Sequence, residues 1–514
     1  MTWPDTASPS ARPTRRAVLG WVAGAGAVGA VGLAGCTSVD LPGGSADDEA
    51  AAGAVPVPDP TWPVVAAGDA AASAIAVSAA LVDSSPAAVV LHPDAPEQAV
   101  TDAAAAAVAA GVPCLVDGPD LGAELDRLGV ESVLRMGAPD EEAGGTPFGP
   151  AVSSRESVDD LPPVTRDAPL RVVVTTPDEP AHAAALATVR AVLGQHGDSE
   201  VLTADDPRED EVMTSLRRLD DTPLVVLGEN DDLGGDALVV AAAMAARATE
   251  LPTGGVLPLG GDRRMIALYG HPGVPGLGLL GEQDVDASVE RVSDLVDEYA
   301  QTTGDTFLPA FEIIATIADS SPGADGDYSS EGDPSTYRPW VDAAYDDGVY
   351  VLLDLQSGRA DFLSQAKRYE ELLLEPHVGL ALDPEWRLEP GQRPLEQIGH
   401  VEVDEVEEVA DWLAELVREH DLPQKVFMLH QFQLQMLRDR DQLRTDRPEL
   451  VTVVHADGHG TPELKQQTWD AVRAELPDGV ELGWKNFIDE DTPTFTPRQT
   501  MLDVRPRPRF VSYQ

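Results

Sequence analysis

The chain has 514 residues, of which 89 are acidic and 35 basic, and its formal net charge is −54. A surface of that charge repels nucleic acid and anionic lipid head groups, so neither is expected as a direct partner. The only cysteines are Cys36 and Cys114, so the folded part is expected to depend on hydrophobic cores rather than on disulfides.

The first 35 residues have the plan of a bacterial export signal. Arg15 and Arg16 fit the twin-arginine pattern, and the uncharged run 17–35 follows them. The run closes with Leu33-Ala34-Gly35-Cys36, which resembles the lipobox of bacterial lipoproteins. The resemblance implies that Cys36 carries lipid and anchors the protein at the extracytoplasmic face of the cell membrane. An uncleaved transmembrane anchor is the alternative, which the six glycines among these 19 residues disfavour.

Residues 36–61 contain little besides Gly, Ala, Pro, Ser and acidic residues, so they are predicted to form a flexible tether behind the lipidated cysteine. From 62 to 260 short apolar strands alternate with Ala-rich helices, which predicts a Rossmann-like parallel α/β domain. The predicted strands are Ala88–Leu91, Val112–Val116, Ser132–Met136, Arg171–Thr175, Glu200–Thr203 and Leu224–Leu227.

Two stretches of this domain look like copies of one unit. The first begins at Ala88–Leu91, and the second runs from Leu224–Leu227 to Val256-Leu257. In each, an apolar strand and an Ala-rich helix precede a second apolar strand. The first copy contains Pro113 in its second strand and continues into a final strand that ends at Gly137, an order that resembles the type 2 cell-wall-binding repeat. That resemblance implies binding to a polymer of the cell wall. A scaffold domain without a ligand is the alternative, because an acidic module contacts a wall polyanion poorly.

Residues 262–514 carry eight apolar strands separated by helices, which predicts a (β/α)₈ TIM barrel. The predicted strands are Met265–Tyr269, Pro309–Ile317, Val349–Leu355, Val378–Leu382, Val426–Leu429, Val451–Val454, Val480–Trp484 and Phe510–Tyr513. A helix is predicted over Gln433–Leu443, and none between the last two strands.

Active sites of such barrels lie at the carboxyl ends of the strands, and nearly every predicted strand here ends in a polar residue. As a set, these residues predict a binding site at the mouth of the barrel. The predicted substrate-binding residues are His271, Trp386, His430, Gln431, His455, Asp457, Trp484, Lys485 and Asn486.

The strongest local motif is Asp383-Pro384-Glu385-Trp386 after the fourth strand. In an extended chain both carboxylates point to one face, and glycoside hydrolysis uses such a pair. The motif resembles the strand-4 Asp-x-Glu of the chitinase-like and lysozyme-like glycoside hydrolases of families 18 and 25. The resemblance implies that Glu385 is the general acid, Asp383 its partner and Asp354 a third carboxylate. A strand-7 glutamate nucleophile is absent, because Lys485 and Asn486 hold that place.

The predicted function is therefore a surface lipoprotein with a glycoside hydrolase-like barrel that acts on or binds cell-wall polysaccharide, without a cofactor. One alternative is a glycan-binding protein without catalysis. A further alternative is a metal-dependent hydrolase, in which His271, His430 and His455 hold Zn²⁺. The C-terminal half also resembles uncharacterised bacterial proteins that share Asp-Pro-Glu-Trp and the terminal Ser512-Tyr513-Gln514.

Overall fold

A computed structural model describes residues 64–65, 69–137, 152–162, 164, 171–174, 182–193, 200–203, 206–218, 224–227 and 235–514. Arg15, Arg16, Cys36 and the tether lie outside these residues, so the export signal and the lipid anchor stay predictions. Within the described part of the chain, no helix is both long and apolar enough to cross a membrane.

The described residues before the barrel include two four-stranded parallel sheets. The first has the spatial order Cys114–Val116, Ala87–Leu91, Ser132–Met136, Ser153–Arg155. The second has the order Val64–Val65, Leu224–Leu227, Arg171–Val174, Glu200–Thr203. All six predicted strands are present. The strand predicted at Val256-Leu257 is wrong, since those residues are irregular, and Ser153–Arg155 is a strand that is absent from the predicted set.

The helices within the described residues of this region are Ala70–Leu81, Glu97–Ala110, Leu121–Leu128, Ala183–Leu193, Asp210–Arg218 and Gly235–Arg247. Helix Ala183–Leu193 follows a strand of the second sheet but packs on the first. Its Thr188 hydroxyl donates to the carbonyl oxygen of Cys114 at 3.0 Å and accepts from the Cys114 amide at 2.9 Å. A helix that joins two strands of the second sheet thus packs on the first sheet.

The C-terminal region is a closed barrel of eight parallel strands, so the predicted TIM barrel is confirmed. Strand β1 pairs with both β2 and β8, which closes the sheet. The strands are β1 Arg263–Gly270, β2 Thr306–Ala318, β3 Tyr350–Leu355, β4 Val378–Leu382, β5 Lys425–Gln431, β6 Leu450–Ala456, β7 Glu481–Asn486 and β8 Phe510–Tyr513.

The helices around the barrel are Val285–Ala300, Pro334–Asp346, Phe362–Arg368, Glu370–Leu373, Val403–Glu419, Pro462–Arg473 and Pro497–Asp503. The helix predicted over Gln433–Leu443 is wrong. That segment forms two 3₁₀ turns around a short strand, Leu437–Arg438, and Asp439 has a left-handed φ of 52° that interrupts any helix. Helix Pro497–Asp503 was not predicted, although its capping box between Thr496 and Gln499 is a start signal.

Helices Asp210–Arg218 and Gly235–Arg247 form an apolar cluster with Val417 and Leu422 of the barrel region, and Leu374 packs against it. The amide of Thr249 also donates to the carbonyl oxygen of Asp421 at 2.8 Å. The end of helix Val403–Glu419 is thus covered by the preceding region.

The barrel interior is apolar below and polar at the top. Its apolar core includes Met265, Ala267, Ala310, Leu352, Ala381, Met428, Val453 and Phe510. Side chains alternate across a strand, so the next inward positions lie two residues further on. The last inward positions of the strands, near their carboxyl ends, carry polar groups, and these groups form the floor of the candidate site.

Candidate functional site

The polar layer consists of buried side chains from seven of the barrel strands, close to their carboxyl ends. Its members are Tyr269, Glu312, Asp354, His430, His455, Lys485 and Ser512, together with Asp383 directly after β4 and Asp457 directly after β6. Burying so many titratable groups is costly unless they are paired. Their contacts therefore decide which charges the site carries.

His430 lies at the centre of this layer, between two carboxylates. Its Nε2 donates to Glu312 Oε1 at 2.6 Å, and its Nδ1 donates to Asp457 Oδ2 at 3.0 Å. Burial opposes the charge on His430, but Glu312, Asp457 and Asp354 outweigh it and raise the pKa well above its usual value. Burial also opposes ionisation of Glu312, whose pKa is nevertheless lowered, mainly by His430. The two neighbouring carboxylates thus favour the imidazolium form of His430.

Lys485 supplies the second cation of the layer. Its Nζ lies 3.4 Å from Asp457 Oδ1 and 3.3 Å from the centroid of the Tyr269 ring. The Tyr269 hydroxyl in turn donates to Asp354 Oδ2 at 2.8 Å. Burial raises the pKa of Asp354 to about 6, and repulsion from Glu312 acts in the same direction, while His430 opposes both. Asp354 therefore accepts a proton more readily than Glu312.

His455 differs from His430 although their ring centroids are only 4.9 Å apart. A hydrogen bond of 3.2 Å joins its Nε2 to the Ser512 hydroxyl. Burial lowers the pKa of His455 to about 3; Glu312 opposes this shift, whereas His430 and Lys485 add to it. The site therefore pairs a neutral imidazole with a charged one.

Three donor groups of the polar layer lie close enough together to hold a metal ion. Donor atoms of Glu312, His430 and His455 all lie within 4.8 Å of one another. His271 does not belong to this group; it is half-buried, and its Nε2 lies 3.4 Å from the Tyr337 hydroxyl. Both ring nitrogens of His430 already bond carboxylates. The predicted trio of histidines is not brought together, and Glu312 takes the place of His271.

A cleft of about 760 Å³ opens above this layer. It is lined by Glu385, Trp386, Leu395, Glu396, Gln397, Ile398, Phe432, Gln433, Asp457, Gly458, His459, Thr468, Phe487 and Glu490. None of these lining residues, all in the described part of the chain, is a lysine or an arginine. Asp457 belongs both to the cleft and to the polar layer, so it connects the two.

The Asp383–Trp386 motif does not continue as extended chain. Pro384–Trp386 forms a 3₁₀ turn, so the predicted alternation ends at Asp383. Asp383 is buried, whereas Glu385 is half-buried and lines the cleft. The two carboxylates therefore occupy different environments, and Trp386 borders the same cleft as Glu385.

Three of the predicted substrate-binding residues face the outer side of the barrel wall. Gln431 accepts from Arg440 at 3.3 Å. Trp484 stacks on Phe495, and its indole N–H donates to Asn486 at 2.9 Å. Asn486 also donates to Thr500 at 3.2 Å. These contacts connect the strands to the outer loops and helices, and none of the three residues lines the cleft.

Glu312, Tyr269 and Ser512 belong to the polar layer but are not among the predicted catalytic or substrate-binding residues. A signal for Glu312 exists, since it is the lone charged residue within the apolar run 307–318 of β2. A carboxylate in a strand that is buried on both faces requires a partner. The sequence does not show that the partner is His430.

No protein-family model matches this chain, and no curated protein matches it either. The fold and the site define a TIM-barrel protein with a paired charge layer beneath an acidic, aromatic-lined cleft.

Proposed function

We propose that the barrel is a glycan-acting hydrolase in which Glu385 is the general acid. The observation that carries the proposal is the position of Glu385 on the wall of the cleft at the carboxyl end of the barrel, where the chemistry of this fold takes place. The half-buried carboxyl group is reached by a ligand in the cleft and is partly shielded from water. Both properties suit a group that protonates a leaving oxygen.

The lining of the cleft supports a sugar ligand. Phe432 is half-buried and offers aromatic surface for a sugar ring, with the buried Trp386 and Phe487 beside it in the wall of the cleft. The acidic side chains offer hydrogen-bond acceptors for hydroxyl groups. Without a lysine or arginine in the lining, the cleft is unsuited to phosphate or carboxylate polymers. We therefore expect uncharged or amine-bearing sugars as substrates.

The test compares two kinds of substrate in wild type and in Glu385→Gln. Unactivated oligosaccharides of N-acetylglucosamine, glucosamine, glucose and mannose require a proton on the leaving oxygen, whereas the matching 2,4-dinitrophenyl glycosides do not. Glu385→Gln should lower kcat on the oligosaccharides by about 10²–10⁴-fold and spare the dinitrophenyl glycosides. The control is Glu389→Gln, an exposed glutamate four residues further on. Wild-type activity of Glu385→Gln on the oligosaccharides, or no cleavage by wild type, would contradict the proposal.

The rest of the chain suits delivery of this barrel to the cell wall. In this proposal, export through Arg15-Arg16 and lipidation of Cys36 anchor the barrel outside the membrane. The Rossmann-like region with its two parallel sheets binds the wall. Cys36→Ala should move the protein from the membrane fraction to the medium without changing its thermal unfolding. Retention of the unlipidated variant in the membrane fraction would contradict the lipid anchor.

A further inference from the structure

We infer that Asp457 is the ionised carboxylate that works with Glu385, acting as the base that activates the attacking water. This inference rests on the proposed function, and it assigns the second catalytic role to the residue that follows β6 instead of to the Asp383–Glu385 motif.

Asp457 lies on the wall of the cleft and is a member of the polar layer. It lines the cleft together with Glu385, whereas Asp383 and Asp354 do not. Its amide donates to the carbonyl oxygen of Gln431 at 3.2 Å, which fixes the start of the loop after β6 against β5. Asp457 is therefore the carboxylate of the polar layer that a ligand in the cleft can approach.

Asp457 lies between two basic side chains, His430 and Lys485. His430 Nδ1 donates to one carboxylate oxygen at 3.0 Å, and Lys485 Nζ lies 3.4 Å from the other. Both cations favour the carboxylate form, and His430 is itself held charged by Glu312 behind it. Asp354 has the opposite character, because its pKa is raised to about 6 by burial and by repulsion from Glu312. Charge pairing thus selects Asp457 as the base.

Access to Asp457 decides between attack on the sugar and activation of water. Only 2 % of its side-chain surface is exposed, so a water molecule reaches it more readily than the anomeric carbon of a bulky sugar ring. In the step that follows, water gives one proton to Asp457 and its oxygen bonds to the anomeric carbon. The bond to the leaving oxygen breaks, and that oxygen takes the electron pair and the proton of Glu385. Solvent then returns both carboxyl groups to their starting states.

This step inverts the anomeric configuration, because water attacks from the side opposite to the leaving group. Proton NMR of the first product formed by wild type, recorded before mutarotation, tests this without any variant. The probe is the oligosaccharide, among those of N-acetylglucosamine, glucosamine, glucose and mannose, that wild type cleaves. Inversion is the expected result, and a retained configuration would overturn the assignment of Asp457 as a water-activating base.

A pair of variants then identifies the residue. Asp457→Asn should lower kcat by about 10²–10⁴-fold on both the oligosaccharide and the dinitrophenyl glycoside, because the base is needed whatever the leaving group. Glu385→Gln should affect only the oligosaccharide, so the two roles are distinguishable. The control is Asp489→Asn, an exposed aspartate after β7.

If Asp457→Asn is as active as wild type, the inference about Asp457 is wrong. The proposed function still stands in that case, provided that Glu385→Gln has lost activity on the oligosaccharide. Thermal unfolding of Asp457→Asn, followed by circular dichroism, shows whether the variant folds. If the variant does not fold, the anomeric configuration of the wild-type product tests the assignment of Asp457 instead.

Discussion

His430 donates from Nε2 to Glu312 Oε1 at 2.6 Å, and this contact joins β5 to β2 across the interior of the barrel. Both side chains are fully buried. A charged pair in such a place is stable only when each partner is satisfied. Glu312 therefore holds the charge of His430, and His430 in turn holds Asp457 at the floor of the cleft.

Removing the charge of Glu312 tests this relationship. Glu312→Gln should lower the free energy of unfolding by about 3–5 kcal/mol, because the variant leaves His430 without its closest buried counter-charge. Urea denaturation at neutral pH, followed by circular dichroism, measures the change. Glu298→Gln, an exposed glutamate in helix Val285–Ala300, is the control and should unfold like wild type. Equal stability of Glu312→Gln and wild type would contradict the paired charges.

The protonation of Asp354 gives a prediction about pH. Its pKa is raised to about 6 by burial and by Glu312, whereas an unfolded aspartate titrates near 4. The contribution of Asp354 to stability is therefore present below about pH 4 and is lost as the pH rises through about 6. Asp354→Asn mimics the protonated form and does not lose that contribution.

We expect Asp354→Asn to be more stable than wild type at about pH 8, by an amount on the order of 3 kcal/mol, and to match it at about pH 4. Urea denaturation at the two pH values measures the difference. Asp297→Asn, at an exposed position, corrects for the general effect of removing a negative charge from an acidic protein. A difference between Asp354→Asn and wild type that does not grow with pH would contradict the raised pKa.

The barrel could be predicted from sequence because its strands are apolar runs at regular spacing. The region around Gln433–Leu443 was mispredicted because composition favoured a helix, while Asp439 adopts a left-handed conformation. Helix Pro497–Asp503 was missed because it is short, and its capping signal lies at Thr496, outside any apolar repeat. Local patterns thus define the repeating unit, but they define short and irregular connections less well.

The candidate site could be predicted only in part, because strand ends contain residues that point in opposite directions. His430 points into the barrel, so its neighbour Gln431 points out; Lys485 likewise points in, between Trp484 and Asn486. The period of two along a strand makes this assignment once one inward residue is known. The pairing of Glu312 with His430 was not predictable, because the two residues are 118 positions apart and the sequence does not give their height in the barrel.

Chelation distinguishes the proposed hydrolase from the metal-dependent alternative. We expect dialysis against EDTA to leave the rate on the cleaved oligosaccharide unchanged, because His430 uses both ring nitrogens for carboxylates and Lys485 already places a cation beside Asp457. Metal analysis of the purified protein accompanies the assay. Loss of activity on chelation and its return with Zn²⁺ would instead favour a metal held by Glu312, His430 and His455.

The barrel should fold without the region that precedes it. A fragment of residues 250–514 keeps the closed sheet and the large apolar cluster between the barrel wall and its helices. It loses the helices that cover Val417 and Leu422, so its free energy of unfolding should fall below that of the same barrel in the full chain by about 2–4 kcal/mol. Urea unfolding followed by both tryptophan fluorescence and circular dichroism measures this, and the two transitions should coincide. A fragment without a cooperative transition would show that the barrel depends on the preceding helices for its fold, and not only for part of its stability.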